Sequence, residues 1–140
     1  MGKKIIVGAF EPVILPELGS TKYLAKVDTG AYRGAVHVDE IIMTEAGDAI
    51  VELSGQKFSF SADRIKNVWV KSASGHRSSR VVVTTPVVVQ GKTYQTWVGL
   101  TNRQKMKFPM LIGRYFLREN NILVDVNRNN QYDTDGRRSK

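Results

Sequence analysis

Short β-branched runs dominate this sequence and restrict the folds open to it. Glycine, asparagine and serine separate segments rich in valine, isoleucine, threonine and aromatic residues, a pattern that predicts strands. The predicted strands are Lys4–Ala9, Tyr23–Asp28, Ala49–Leu53, Lys57–Ser61, Asn67–Lys71, Arg80–Gln90, Thr93–Leu100 and Asn121–Val126. A short helix is predicted only at Arg114–Glu119. Many short strands at close spacing favour an all-β barrel or sandwich.

The longest predicted run contains two local signals. Gln90-Gly91-Lys92 joins two alternating segments and predicts a hairpin turn. Pro86 lies inside the run and cannot donate a backbone hydrogen bond, so it predicts an edge position, a bulge or a strand break.

Asp28-Thr29-Gly30 follows directly on an apolar strand. Glycine permits a tight turn, and threonine adds a stiff side chain with a hydroxyl that can lock it. The aspartate is left at the strand end, where a rigid scaffold could present it to a substrate. Aspartate and glycine are also ordinary turn residues, so a purely structural turn is the alternative interpretation.

A second segment, Phe108–Leu117, carries the apolar-apolar-Gly-Arg sequence Leu111–Arg114 before the predicted helix. In this order, the two segments resemble the retropepsin-like aspartic proteases. The resemblance implies a pepsin/retropepsin-like closed β-barrel with one short C-terminal helix. It is sharpest to a bacterial and archaeal branch labelled "ATP-dependent zinc protease" and covers roughly residues 5–127. The matching elements are Glu11–Gly19, Ala25–Ala31 with His37, Ser72–Arg77, Leu100–Arg103, Met106, Phe108–Arg114 and Leu123–Asp125.

The resemblance implies that Asp28, Thr29 and Gly30 form the catalytic turn. A pepsin-like site needs two such turns, yet the sequence has no internal repeat. Asp133-Thr134-Asp135-Gly136 follows a polar segment instead of an apolar strand, so we interpret it as part of a tail. The second catalytic turn would therefore come from another subunit, which predicts a homodimer. Thr29 would bond across the dimer axis to the other subunit's turn.

Substrate contacts are also implied, at positions around the turn and on a flap. The residues are Ala31, Arg33, Ser74, Gly75, His76, Gly113 and Arg114. The Gly/Ser-rich segment Ser72–His76 falls where retropepsins carry the flap, and a plain surface hairpin is the alternative. Gly113 would allow close backbone approach. Arg114 would either tether the helix through a carboxylate or be a plain surface arginine. Tyr32–Val36 departs from the Arg-Thr-Ser-Ala-Leu more common in the family.

The composition is that of a soluble globular protein of one domain. The chain has 140 residues, 41% of them hydrophobic and 24% charged, and no cysteine. Glu11 and Pro12 interrupt the short apolar run at the N-terminus, and no run approaches the length of a membrane span. We expect a cytoplasmic protein with no membrane contact. The predicted domain is residues 1–126, followed by a polar, flexible tail over residues 127–140.

The formal net charge is +8, from 21 Lys+Arg against 13 Asp+Glu. Such an excess favours acidic partners. The basic residues are dispersed and no nucleic-acid motif is present, so we expect no nucleic-acid binding. Relatives in this branch are often encoded beside an ATP-grasp glutamate ligase, which together with the charge suggests an acidic or glutamylated polypeptide substrate. The alternative is a non-catalytic β-barrel that binds an acidic peptide or a nucleic acid.

The residues do not support the zinc and ATP of the branch label. His37 and His76 are the only histidines, and neither a His-Glu-x-x-His motif nor a phosphate-binding loop occurs. We therefore expect no metal site and no cofactor.

Overall fold

Strands account for most of the residues that the structure, a computed structural model, describes, which are 4–71, 77–102 and 107–132. The strands are β1 (Ile6–Val7), β2 (Phe10–Leu15), β3 (Thr21–Val27), β4 (Gly34–His37), β5 (Glu40–Met43), β6 (Ala49–Leu53), β7 (Gln56–Phe60), β8 (Ile65–Lys71), β9 (Arg77–Val89), β10 (Lys92–Thr101), β11 (Met110–Ile112) and β12 (Leu123–Val124). The helix α1 is Arg114–Glu119, and 3-10 turns lie at Pro16–Leu18, Ala62–Arg64 and Asn130–Tyr132.

Six strands close into a mixed barrel in the order β10, β4, β11, β3, β2 and β9. The pairing of β9 with β10 completes the circle. Two neighbouring pairs, β10–β4 and β11–β3, are parallel, and the others are antiparallel. The predicted closed β-barrel with one short helix is confirmed.

Side chains fill the barrel because strand residues alternate between its two faces. On β10, Tyr94, Thr96, Val98 and Leu100 are buried in this alternation. The ring of Phe116 on α1 meets Tyr94 edge-on at 5.2 Å, which anchors the helix against the barrel. The helix therefore holds the segment that precedes it in a fixed position.

Three further pieces extend the barrel. Strand β8 pairs with the first half of β9, β5–β6–β7 form a separate antiparallel sheet, and β1 pairs with β12 in parallel. Within the described ranges, no helix is long and apolar enough to cross a membrane.

Several predicted elements match the structure, and four strands were missed. Helix α1 and strand β6 have the predicted bounds. Strands β2, β4, β5 and β11 were not predicted, and the strand expected at Lys4–Ala9 is reduced to β1. The reason is local: β2 contains Glu11 and Pro12, which resemble strand breakers, while the other three span only three or four residues each.

Pro86 occupies an edge position, one of its three predicted environments. It pairs with Gln95 of β10, while β8 pairs with β9 only as far as Val83 and β2 pairs from Val88. Residues 84–87 of β9 therefore have a strand neighbour on one side only, which a proline tolerates. On the open side, the guanidinium of Arg64 donates to the Thr84 carbonyl at 2.8 and 3.2 Å.

The first residues of the predicted tail lie against the barrel. The Ala9 amide donates to the Arg128 carbonyl at 2.7 Å, and the Asn129 side chain donates to the Phe10 carbonyl at 3.1 Å. The Tyr132 ring contacts Phe10 at 5.7 Å. Residues 133–140 lie outside the described ranges, so the domain boundary at residue 126 stays a prediction.

Candidate active site

Asp28 stands where β3 leaves the barrel. Its amide donates to the Ile112 carbonyl at 2.8 Å, which continues the pairing of β3 with β11. One carboxylate oxygen accepts the Gly30 amide at 3.0 Å, and the Asp28 carbonyl accepts the Ala31 amide at 3.1 Å. This closed turn fixes the carboxylate at the strand end.

The Asp28 side chain is half-buried, while Thr29 and Gly30 are exposed. Among the described residues, the Gly30 amide is the single hydrogen-bond donor to the Asp28 carboxylate. Most of its acceptor capacity is therefore left for water, substrate or another protein group.

Strand β11 supports the turn from behind because it lies between β3 and β4. It is parallel to β3, with Ile112 opposite Val27, and antiparallel to β4, with Leu111 opposite Ala35. Two glycines make this close arrangement possible. A Cβ at Gly34 would lie 2.7 Å from the Leu111 carbonyl oxygen, and one at Gly113 would lie 2.6 Å from the Tyr32 carbonyl oxygen. Any larger residue at these positions would push the backbones apart.

Arg114 holds the turn through main-chain oxygens. Its guanidinium donates to the carbonyls of Gly30 at 3.1 Å and Thr29 at 3.3 Å, and its amide donates to the Ala31 carbonyl at 2.8 Å. Among the described residues, Arg114 has no carboxylate partner, and its side-chain hydrogen bonds go to these loop carbonyls. Its contact with substrate stays a prediction.

Two tyrosines next to the turn were not singled out from the sequence. Tyr32 and Tyr115 have ring centroids 5.7 Å apart, and the guanidinium of Arg33 lies 5.5 Å from the first ring and 5.9 Å from the second. Arg114 lies 5.5 Å from the Tyr32 ring. The departure from the family pattern at Tyr32 and Arg33 was the available signal, and it falls at a cation–aromatic contact beside Asp28.

The structure brings Asp28, Thr29, Gly30, Ala31, Arg33, Gly113 and Arg114 together around one loop. The predicted flap residues Ser74, Gly75 and His76 lie outside the described residues. The strands on either side, β8 and β9, form an antiparallel pair whose last matched residues are Lys71 and Arg77.

His37 lies away from this loop, at the end of β4. Its Nε2 is 3.6 Å from Asp39 Oδ1, and its carbonyl accepts the Tyr23 hydroxyl at 3.3 Å. Burial, with a smaller contribution from the charge of Asp39, raises the pKa of Tyr23 to about 12. No three histidine or acidic side chains in the described part of the chain converge as metal ligands would.

A closed β-barrel with an Asp-Thr-Gly loop at a strand end is what the resemblance to the retropepsin-like aspartic proteases implies, and the structure has both features. Residues 6–134 match the family model described as "RimB-like: Retropepsin-like aspartic endopeptidase RimB". The chain belongs to this RimB-like family of retropepsin-like aspartic endopeptidases.

Curated relatives and a solved structure extend the comparison. A "Probable alpha-L-glutamate ligase" from Desulfotalea psychrophila is 31% identical over 79% of this chain, and one from Parasynechococcus marenigrum is 29% identical over 94%. The chain spans only 26% and 30% of the length of these two relatives. A Legionella pneumophila DUF785 protein, described as of unknown function, has a TM-score of 0.66 at 25% identity, covering 89% of this chain and 95% of that one.

Proposed function

We propose that this chain is an aspartic endopeptidase that hydrolyses peptide bonds as a homodimer. The observation that carries the proposal is the Asp28 carboxylate, fixed at a strand end by the Gly30 amide and otherwise open to a reacting molecule. The family name describes an aspartic endopeptidase, which supports the same reaction class.

The dimer follows from the chemistry of the reaction. An aspartic protease uses two carboxylates at close range, which cannot both ionise readily and so share one proton. The predicted catalytic turn supplies one of them, Asp28, and a two-fold axis through the site would supply the second from another copy. The exposure of Thr29 and Gly30 is compatible with a partner turn packing against them.

Each carboxylate then has a defined task. The ionised Asp28 takes a proton from the bound water as the water oxygen attacks the scissile carbonyl carbon. The protonated Asp28 gives its proton to the carbonyl oxygen, which yields a tetrahedral gem-diol. On collapse, the C–N bond breaks, the nitrogen receives a proton from one carboxyl group, and the other takes a proton from the gem-diol. The pair therefore returns to its starting state of one shared proton.

For the substrate, we propose an acidic polypeptide, with glutamate-rich segments as the chemical class. The net charge of +8 favours negatively charged partners. The curated relatives are named as α-L-glutamate ligases, and part of each resembles this chain. A protease with such relatives would act on peptides that contain added glutamate.

The test is cleavage of a peptide library by the purified chain, with products read by mass spectrometry. We expect cleavage without ATP that survives EDTA and serine- or cysteine-directed reagents. A peptide with a hydroxyl group at the scissile position should block it, because it mimics the tetrahedral intermediate. Activity that EDTA removes and zinc restores would contradict the mechanism. Binding of peptides without cleavage, under all conditions in which a dimer forms, would instead identify a binding protein.

A further inference from the structure

Two cation–aromatic contacts lie next to each other beside the Asp28 loop. Lys66 Nζ on β8 lies 4.2 Å from the centroid of the Trp97 ring on β10. The guanidinium of Arg33 contacts the rings of both Tyr32 and Tyr115, at 5.5 and 5.9 Å from their centroids. We call these five residues the basic–aromatic cluster. Both cations are partly exposed.

Strand pairing shows that the two contacts are neighbours. Strands β4 and β10 are parallel, with Gly34 opposite Val98, so Arg33 and Trp97 precede matched residues on adjacent strands. Lys66 lies opposite Val82 of β9, which in turn is paired with Gly99 of β10. The pKa of Lys66 is lowered by burial and, to a smaller extent, by the charge of Arg33. The two cations therefore lie within electrostatic reach of each other.

No carboxylate in the described part of the chain forms an ion pair with either cation. The ion pairs there involve other residues, namely Arg64 with Glu17, His37 with Asp39, and Arg128 with Asp125. The aromatic rings attract Arg33 and Lys66 without cancelling their charge. Two adjacent like charges repel each other, and an anion placed between them would remove that repulsion.

We propose that the basic–aromatic cluster is the subsite that recognises a substrate side-chain carboxylate. The inference rests on the proposed function, since the cluster adjoins the Asp28 loop through Arg33. The guanidinium of Arg33 has the planar donor geometry that matches a carboxylate, and Lys66 adds a second positive charge. The Trp97 ring offers an apolar surface for the methylene groups of a glutamate.

The experiment compares two peptides that differ in a single glutamate or glutamine near the scissile bond. Wild-type protein should prefer the glutamate peptide, and Arg33→Gln and Lys66→Gln should each lower its kcat/KM by about tenfold. The glutamine peptide should lose much less, so the ratio of kcat/KM for the glutamate peptide to that for the glutamine peptide should fall toward one in both variants. Lys66→Arg keeps the charge and should keep most of the preference.

Lys92→Gln is the matched control. Lys92 also lies over an aromatic ring, 5.3 Å from the Tyr94 centroid, but it is the first residue of β10, whereas Trp97 lies in the middle of that strand. Its removal changes the net charge as much as the loss of Lys66 does, and it should leave the glutamate preference intact. An equal loss in Lys92→Gln and Lys66→Gln would overturn the subsite and leave only a general charge effect.

A binding measurement tests the subsite independently of catalysis. Asp28→Asn protein, which retains the cluster, should bind the glutamate peptide about tenfold more tightly than the glutamine peptide, by fluorescence anisotropy. Adding Arg33→Gln should remove the difference. If the wild-type protein cleaves no peptide but this binding difference is present, the proposed function fails and the subsite stands. Cleavage or binding with no glutamate preference contradicts the subsite alone.

Discussion

Asp28 and Glu11 carry carboxylates on adjacent strands, and the two side chains differ in burial and in the number of hydrogen bonds they accept. Glu11 on β2 is only 5% exposed, and one of its oxygens accepts hydrogen bonds from three groups. These are the Gly8 amide at 3.0 Å and the side-chain amides of Gln90 and Asn129, each at 3.4 Å. Asp28 on the end of β3 is half-buried and accepts a single hydrogen bond from the described residues, from Gly30.

The two carboxylates differ in the number of hydrogen-bond donors around them, and this difference predicts different roles. Glu11 connects the N-terminal segment, the β9–β10 turn and the segment after β12. Its Oε1 atom is therefore occupied by hydrogen bonds within the fold. Asp28 is fixed in place by its own loop, yet its oxygens are left for other partners. We therefore expect loss of Asp28 to remove activity and loss of Glu11 to remove stability.

The largest expected effect is that of Asp28→Asn on catalysis. An amide cannot act as the general base, so kcat/KM should fall by at least about a thousandfold. The amide oxygen can still accept the Gly30 N–H, so the free energy of unfolding should change by less than about 0.5 kcal/mol. Peptide cleavage and urea unfolding measure the two quantities. The control is Asp48→Asn, because Asp48 also accepts a backbone amide, that of Ala62 at 2.8 Å, but in a distant turn. Cleavage by Asp28→Asn at the wild-type rate would refute its assignment as the base.

Glu11→Ala should give the reverse result. It leaves three donors without their acceptor in a buried place, and we expect a loss of about 3 kcal/mol in the free energy of unfolding. The fraction of protein that stays folded should retain near wild-type kcat. Glu45→Ala, at an exposed turn residue, should cost less than about 0.5 kcal/mol. Equal unfolding midpoints for the two variants would show that the Glu11 contacts add nothing to stability.

A smaller effect is expected from Tyr23, on how the free energy of unfolding depends on pH. Its phenol is buried and its pKa is raised to about 12, so between about pH 10 and 12 the folded protein keeps a proton that the unfolded chain has lost. Stability from this group is present below pH 10 and falls by about 1.4 kcal/mol for each pH unit in that window. Tyr23→Phe should flatten this alkaline decline, which urea unfolding at pH 9 to 12 would measure. An unchanged slope would show that another group is responsible.

The sequence singled out Asp28 as the candidate catalytic carboxylate and gave no sign of the hydrogen bonds of Glu11, for physical reasons. Asp28-Thr29-Gly30 forms its turn through residues that are adjacent in sequence, so the turn can be recognised from the sequence alone. The same holds for Ile112-Gly113 at the end of β11. In the sequence, Glu11 beside Pro12 only interrupts an apolar run. Its three hydrogen-bond donors come from residues 8, 90 and 129, which only the folded chain brings together.

The same limit applies to the arginines near the site. The sequence placed Arg33 and Arg114 beside the predicted catalytic turn, but it could not identify their partners. Arg114 binds the Thr29 and Gly30 carbonyls, and Arg33 lies against Tyr115, a residue that is distant in sequence. Such contacts depend on how α1 faces the loop. The role of Ser74, Gly75 and His76 as a flap stays a prediction.

The most direct test of the central claim mixes wild-type and Asp28→Asn subunits at constant total concentration, after subunit exchange. If each site needs one Asp28 from each of two chains, only pure wild-type dimers are active, and activity should follow the square of the wild-type fraction. An equal mixture would then retain about a quarter of the wild-type activity. Activity that falls in direct proportion to the wild-type fraction, to about half in an equal mixture, would contradict the shared site and show that each chain acts with its own Asp28.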